Sequence, residues 1–177
     1  MPSQNKSKLI RLTTMALLVS MSAVLSYYER FIPVINVPGV KLGLANIFTL
    51  MALMLLSWKE ALLILLARVF LVSFFAGSPI GLLYSLSGGL MSLFAMYLAL
   101  KFVPRYISII GVSLVGAFFH NTGQCMVLGL LLGSWQIALG YYPILVVAAL
   151  ATGSLIGYIT SHFLNHIQSV PLGPGLS

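Results

Sequence analysis

The chain contains no aspartate and only two glutamates, Glu29 and Glu60, among its 177 residues. No acidic cluster is therefore available to hold divalent cations or to run paired-carboxylate chemistry. Cysteine is as scarce: Cys125 stands alone, which excludes an internal disulfide and a cysteine cluster for a metal, and it reads as a small core residue. Charged residues of both signs make up 6% of the sequence, against about 25% in an ordinary soluble domain. What fills the chain is apolar: 60% of residues are hydrophobic and the mean hydropathy is +1.07. Such a composition belongs in lipid.

Six apolar runs are candidate transmembrane helices: Leu9 to Tyr28, Leu42 to Ser57, Ala61 to Ala76, Ile80 to Leu100, Tyr106 to Gly133 and Tyr142 to Phe163. A crossing takes about 20 apolar residues, so residues 1–170 suit one six-helix bundle with little left for an extramembrane domain. The second and third runs are shorter than a full crossing and are joined by the tight Ser57-Trp58-Lys59-Glu60 connection, which implies tilt or a locally thinned bilayer. The formal charge of +7 does not point to nucleic acid, because Lys6, Lys8, Arg11, Lys59, Lys101 and Arg105 are dispersed at the ends of apolar runs. Their distribution follows the positive-inside rule and predicts cytoplasmic N and C termini, with Arg30 and Lys41 on the opposite side. Tyr27, Tyr28, Trp135, Tyr141 and Tyr142 mark one interface and Trp58, Phe102 and Tyr106 the other. The first run continues into Tyr27-Tyr28-Glu29-Arg30 without a small-x-small cleavage site and reads as a retained helix. The Pro- and Gly-rich tail 171–177 reads as disordered.

Against this background the buried polar residues stand out. Arg68 sits in the middle of the third run, and His120-Asn121-x-x-Gln124 halfway along the fifth. A central arginine costs roughly 2.5–3.5 kcal/mol on insertion scales, so such residues face a protein interior, a water-filled cavity or a ligand. His120 and Gln124 are four residues apart and Asn121 and Gln124 three, so one broad helical face can carry all of them. That face suits a hydrogen-bonding substrate pocket; it equally suits interhelical contacts worth about 0.6 kcal/mol each. The forked donors of Arg68 suit a carboxylate or phosphate, or alternatively Glu29, Glu60 or helix-end carbonyls. The shortage of acids favours an anionic or acceptor-rich ligand.

Further candidates surround these. The loop Glu29 to Lys41 carries Phe31, Ile32, Val34, Ile35 and Val37, more apolar surface than a solvated connector needs, and can fold back as a cap over an outward cavity or lie at the interface. Asn46, deep in the second run, is a pocket candidate; Lys41 is either a mouth residue or a headgroup anchor. Tyr84 is a further candidate contact, with Ser85 and Ser87, although Ser85, Gly88 and Gly89 also suit close helix packing. His162 and His166 lack a third ligand and read as a polar helix end, not a metal site. Ala16, Ser20 and Ala23 give the first run a narrow small-residue face, for a partner helix or for packing within the bundle.

Taken together, Pro38-Gly39-Val40-Lys41-Leu42-Gly43-Leu44-Ala45-Asn46-Ile47, Ala67-Arg68-Val69, Gly77-Ser78-Pro79, Tyr84-Ser85-Leu86-Ser87-Gly88-Gly89 and His120-Asn121-Thr122-Gly123-Gln124 carry a resemblance over most of the chain. The chain resembles the Gx transporter or "heptaprenyl diphosphate synthase component I" family, whose members look like substrate-binding S components of energy-coupling-factor (ECF) transporters. The resemblance implies a six-helix S-component fold in a bacterial plasma membrane, binding a small molecule from outside. It also implies docking, through small residues on the first helix, to a transmembrane coupling (T) subunit driven by two ATPases. Here Ser20 interrupts a clean alanine repeat. The chain has no Walker A run and no cofactor motif, so ATP hydrolysis falls to the partners. Synthase chemistry itself fits poorly, because prenyl diphosphate synthases hold magnesium and diphosphate with aspartate-rich clusters.

The sequence therefore leads to a non-enzymatic membrane subunit that captures a vitamin-like or isoprenoid- or quinone-related molecule through Arg68, His120, Asn121, Gln124, Asn46, Lys41 and Tyr84. The alternative is a membrane accessory or scaffold protein in isoprenoid, quinone or extracellular electron-transfer metabolism. An enzyme using His120 as acid or base is least favoured, since no carboxylate or nucleophile is positioned beside it.

Overall fold

A computed structural model of the protein describes residues 2–32, 40–103 and 105–169. The described residues form six helices and no strand: α1 (Pro2–Glu29), α2 (Asn46–Leu55), α3 (Trp58–Ala76), α4 (Pro79–Phe102), α5 (Ile109–Leu132) and α6 (Trp135–Ser169). Of these, α1, α4, α5 and α6 are long and apolar enough to cross a membrane. The tail 171–177 and the stretch 33–39 of the expected cap lie outside the described residues.

Short polar signals in the sequence set the helix starts. Glu60 reaches back to the Ser57 N–H (2.9 Å) at the start of α3. Ser78 Oγ accepts from the Gly81 N–H (3.1 Å) ahead of α4, with Pro79 at the first helical position, and Ser108 does the same for α5 through Gly111 (3.1 Å). Two elements depart from the apolar runs. With ten residues, α2 is about 15 Å long, roughly half the hydrocarbon core. The chain before it, Lys41 to Gly43, is not helical, and Gly43 takes a left-handed φ of 82°. At the other extreme, α6 begins seven residues before Tyr142, at Trp135, and continues through Pro143.

Short as it is, α2 is central: it touches all five other helices, while α1 touches only α2 and α3. A wall runs from α1 through α3, α4 and α5 to α6, with α4, α5 and α6 the most closely packed. One apolar core, including Leu50, Ile64, Leu65, Met96 and Val112, joins α2 to α3, α4 and α5. A second gathers Val40, Tyr84, Cys125, Leu128, Ala138 and Leu145 where α4, α5 and α6 meet the chain entering α2. The polarity of α1 is reversed relative to a helix of a soluble protein. Leu9, Leu12, Leu17, Met21 and Val24 are exposed, whereas Ser22, Ser26 and Glu29 are buried. That inversion matches a lipid surround, in which polar groups turn toward the protein.

Candidate functional site

The buried polar residues converge where α1 ends and α2 begins. Arg68 lies on α3, Asn46 opens α2, and His120, Asn121 and Gln124 lie on α5, all at 4% exposure or less. Gln124 is the hub. The Lys41 N–H donates to Gln124 Oε1 (2.9 Å), and Gln124 Nε2 donates to the Lys41 carbonyl (2.9 Å) and to His120 Nε2. Because Lys41 fixes which end of the carboxamide is oxygen, His120 Nε2 is an acceptor and its ring proton sits on Nδ1, which faces the Gly88 main chain.

Two glycines clasp that imidazole. A Cβ on Gly43 would lie 2.8 Å from His120 Cδ2, and one on Gly88 would lie 2.9 Å from its Nδ1. Backbone without side chains thus meets both sides of the ring, which explains the glycine at each position. Gly43 is further tied to the site by its left-handed φ and by Asn46 Nδ2, 3.2 Å from the same imagined Cβ.

Charge is concentrated here as well. Glu29, 2% exposed, accepts from the Leu44 N–H through Oε1 (2.8 Å) and sits in the field of Lys41 and Arg68. No direct ion pair joins these three among the described residues. Arg68 Nη2 donates to Asn46 Oδ1 (3.5 Å), and Lys41 Nζ to Ser26 Oγ (3.3 Å). Burial pushes the Lys41 ammonium down to about 8, opposed by Glu29 and reinforced by Arg68 and Arg30. Several polar atoms of these residues have no hydrogen-bond partner among the described residues: Arg68 Nε, Asn46 Nδ2, His120 Nδ1, Asn121 Oδ1 and Ser85 Oγ.

Of the residues singled out from the sequence, Arg68, Asn46, His120, Gln124 and Lys41 form one connected cluster. Asn121 turns to α6, donating to the Leu145 carbonyl (2.6 Å), and Tyr84 packs in the second apolar core. Ala16 and Ser20 are exposed and Ala23 half-buried, so the small-residue face of α1 points largely away from the bundle. Glu29 was visible in the sequence only as a possible Arg68 partner; its hold on the chain before α2 depends on a reversal that no local pattern encodes.

A mostly apolar helical bundle with an occluded, charged cluster beneath one end defines an integral membrane protein with an internal polar site. The chain belongs to the family described as Heptaprenyl diphosphate synthase component I, which it matches over residues 18–163. That description names one component of a synthase, implying a partner in a complex, and the match spans every residue of the cluster. No curated protein and no solved structure matches the chain.

Proposed function

We propose that the protein is the substrate-specific binding subunit, or S component, of an ECF-type importer. It captures a small vitamin-like or isoprenoid- or quinone-related molecule and passes it inward with a coupling subunit and two ATPases. The observation that carries this reading is the pair Arg68 and Asn46. Each is almost wholly buried and each keeps a donor, Arg68 Nε and Asn46 Nδ2, without a partner among the described residues. Buried polar groups in native structures are paired in roughly 90% of cases or more, so two adjacent unused donors in an apolar bundle suit a ligand that brings acceptors.

In this reading Arg68 anchors an anionic or acceptor-rich group, and Asn46, His120 and Gln124 complete the contacts. Asn121 and Tyr84 shape the far wall. Access requires Lys41 to Gly43 to leave Gln124, which couples capture to movement of the chain under the first loop. The outward-facing Ala16, Ser20 and Ala23 supply the face for the coupling subunit. The subunit itself is non-catalytic and holds no cofactor, ATP being hydrolysed by the partners. It works in the bacterial plasma membrane with both termini cytoplasmic.

The family description supports a second reading, in which the chain is a membrane accessory component serving a prenyl diphosphate synthase. Mass spectrometry of small molecules and proteins retained by the gently extracted wild type and by Arg68→Ala separates the two. The importer reading expects one compound retained by wild type and reduced about tenfold or more in the variant, the scale of one lost charge-assisted contact. Thermal melting of both proteins checks that the variant is folded. Equal retention in a folded variant refutes the Arg68 anchor, and a stably copurifying prenyl synthase without a small molecule favours the accessory reading.

A further inference from the structure

Beside the buried cluster lies a separate feature at the same end of the bundle. A cleft of about 240 Å³ is bounded by Arg30, Lys41, Ser73 and Ser78, and the N-terminus of α4 closes it at Gly81. Val72 forms its inner edge and also borders a second hollow, of about 450 Å³, between α1 and α3. That hollow is apolar and lined by Val24, Tyr27, Tyr28, Leu71 and Phe75. Exposed apolar side chains of α1 and α3 continue from it onto the surface of the bundle, so it opens toward lipid.

The charges at this end do not cancel. Arg30 and Lys41 line the cleft and no carboxylate does; Lys41 lies in the field of Arg30, Arg68 and Glu29. The chain's other acid, Glu60, is occupied by Arg11 (2.7 Å), and neither residue lines the cleft. The two lining cations, with no lining carboxylate, leave an excess of two positive charges, to which the positive end of α4 adds. Arg30 has ring faces of Tyr27 and Phe31 beside it, at 5.4 and 5.5 Å, and no carboxylate partner among the described residues.

We infer that this pair of hollows binds a single-tailed membrane amphiphile, its phosphate monoester head between Arg30 and Lys41 and its hydrocarbon tail in the groove between α1 and α3. The head is assigned by charge: a phosphate monoester carries about −1.5 to −2, matching the excess, whereas a two-tailed phosphodiester lipid carries one negative charge. The serine hydroxyls supply further donors to its oxygens. The tail is assigned by adjacency: Val72 on α3 borders both hollows, so a head in the cleft lies next to the apolar groove. This assignment does not rest on the importer reading, since it uses neither a coupling partner nor the Gln124 hub.

Calorimetric titration of dodecyl phosphate into the full-length protein in dodecyl maltoside micelles tests it, with empty micelles as the blank. Heat above the blank reports binding to the protein, and inorganic phosphate titrated alone reports the head. Arg30→Gln should bind dodecyl phosphate and inorganic phosphate about tenfold more weakly, and Arg30→Lys should recover most of the loss. Val24→Trp, which fills the groove, should weaken dodecyl phosphate by about the same factor and leave inorganic phosphate unchanged. No binding by wild type, equal affinity in Arg30→Gln, or displacement of dodecyl phosphate by phosphatidylglycerol at equal concentration would each overturn the assignment.

Discussion

The two carboxylates of this chain sit near opposite ends of the paired helices α1 and α3 and do different work. Near the start of both helices Glu60 meets Arg11 at 2.7 Å with the arginine 58% exposed, while also holding the Ser57 N–H. One acid there cancels one base. Eighteen residues along α1 from Arg11, about 27 Å at helical rise, Glu29 is buried and accepts from the Leu44 N–H, in the field of Lys41 and Arg68. The pair at the first end is a neutral latch. The second end keeps charge in a low-dielectric place, the arrangement on which the proposed site rests.

That contrast can be broken most directly by removing each charge in turn. Glu29→Gln should lower the melting free energy by about 1.5–3 kcal/mol, the range for hydrogen bonds to charged groups, because it weakens the hold on Leu44 and leaves the cations unopposed. The same change should strengthen binding of dodecyl phosphate in the cleft; a variant that binds it more weakly would detach Glu29 from the charge balance.

A pH series sharpens the picture. The Lys41 ammonium, between Glu29, Arg68 and Arg30, titrates near 8 in the folded protein against 10.5 when free. Its folded value is depressed, so between those limits the unfolded chain binds more protons and the contribution of Lys41 to stability rises with pH. Below about 8 its cost is fully present. Cleft affinity should run the other way, falling as pH climbs through 8, since a phosphate monoester is already dianionic there. Both trends should vanish in Lys41→Met, measured by melting and by titration.

The smallest effect is expected at the latch. Glu60→Gln removes a half-exposed ion pair worth about 0–1 kcal/mol and should shift melting by little, more at low salt than at high. A loss comparable to that of Glu29→Gln would erase the distinction between the ends.

Much of this was readable from the residues alone. Long apolar runs located the helices, and Arg68 and the His120–Gln124 face pointed to the buried polar cluster because lipid makes such residues conspicuous. What stayed hidden depends on backbone path. The run from Leu42 is as apolar as a helix, yet Gly43 turns left-handed and α2 does not start until Asn46. Pro143 lies inside α6, and the helix begins well before it, because tertiary contacts with α5 override a local breaker. Asn121 shares a helical face with Gln124, but its amide is taken up by Leu145 across the helix interface.

The pairing of Gln124 with Lys41 has one more implication. The carboxamide reads both the N–H and the C=O of a single residue, as the neighbouring strand does in a sheet. Under the proposed function, a molecule arriving at Gln124 would compete with main chain, and capture would be an exchange of one hydrogen-bonded edge for another. Compounds with a donor and an acceptor side by side, such as a lactam, an imide or a pteridine-like ring, can make that trade at little cost; a plain hydrocarbon or ether leaves the glutamine stranded. On that proposal, selectivity begins at Lys41, whose main chain Gln124 already holds.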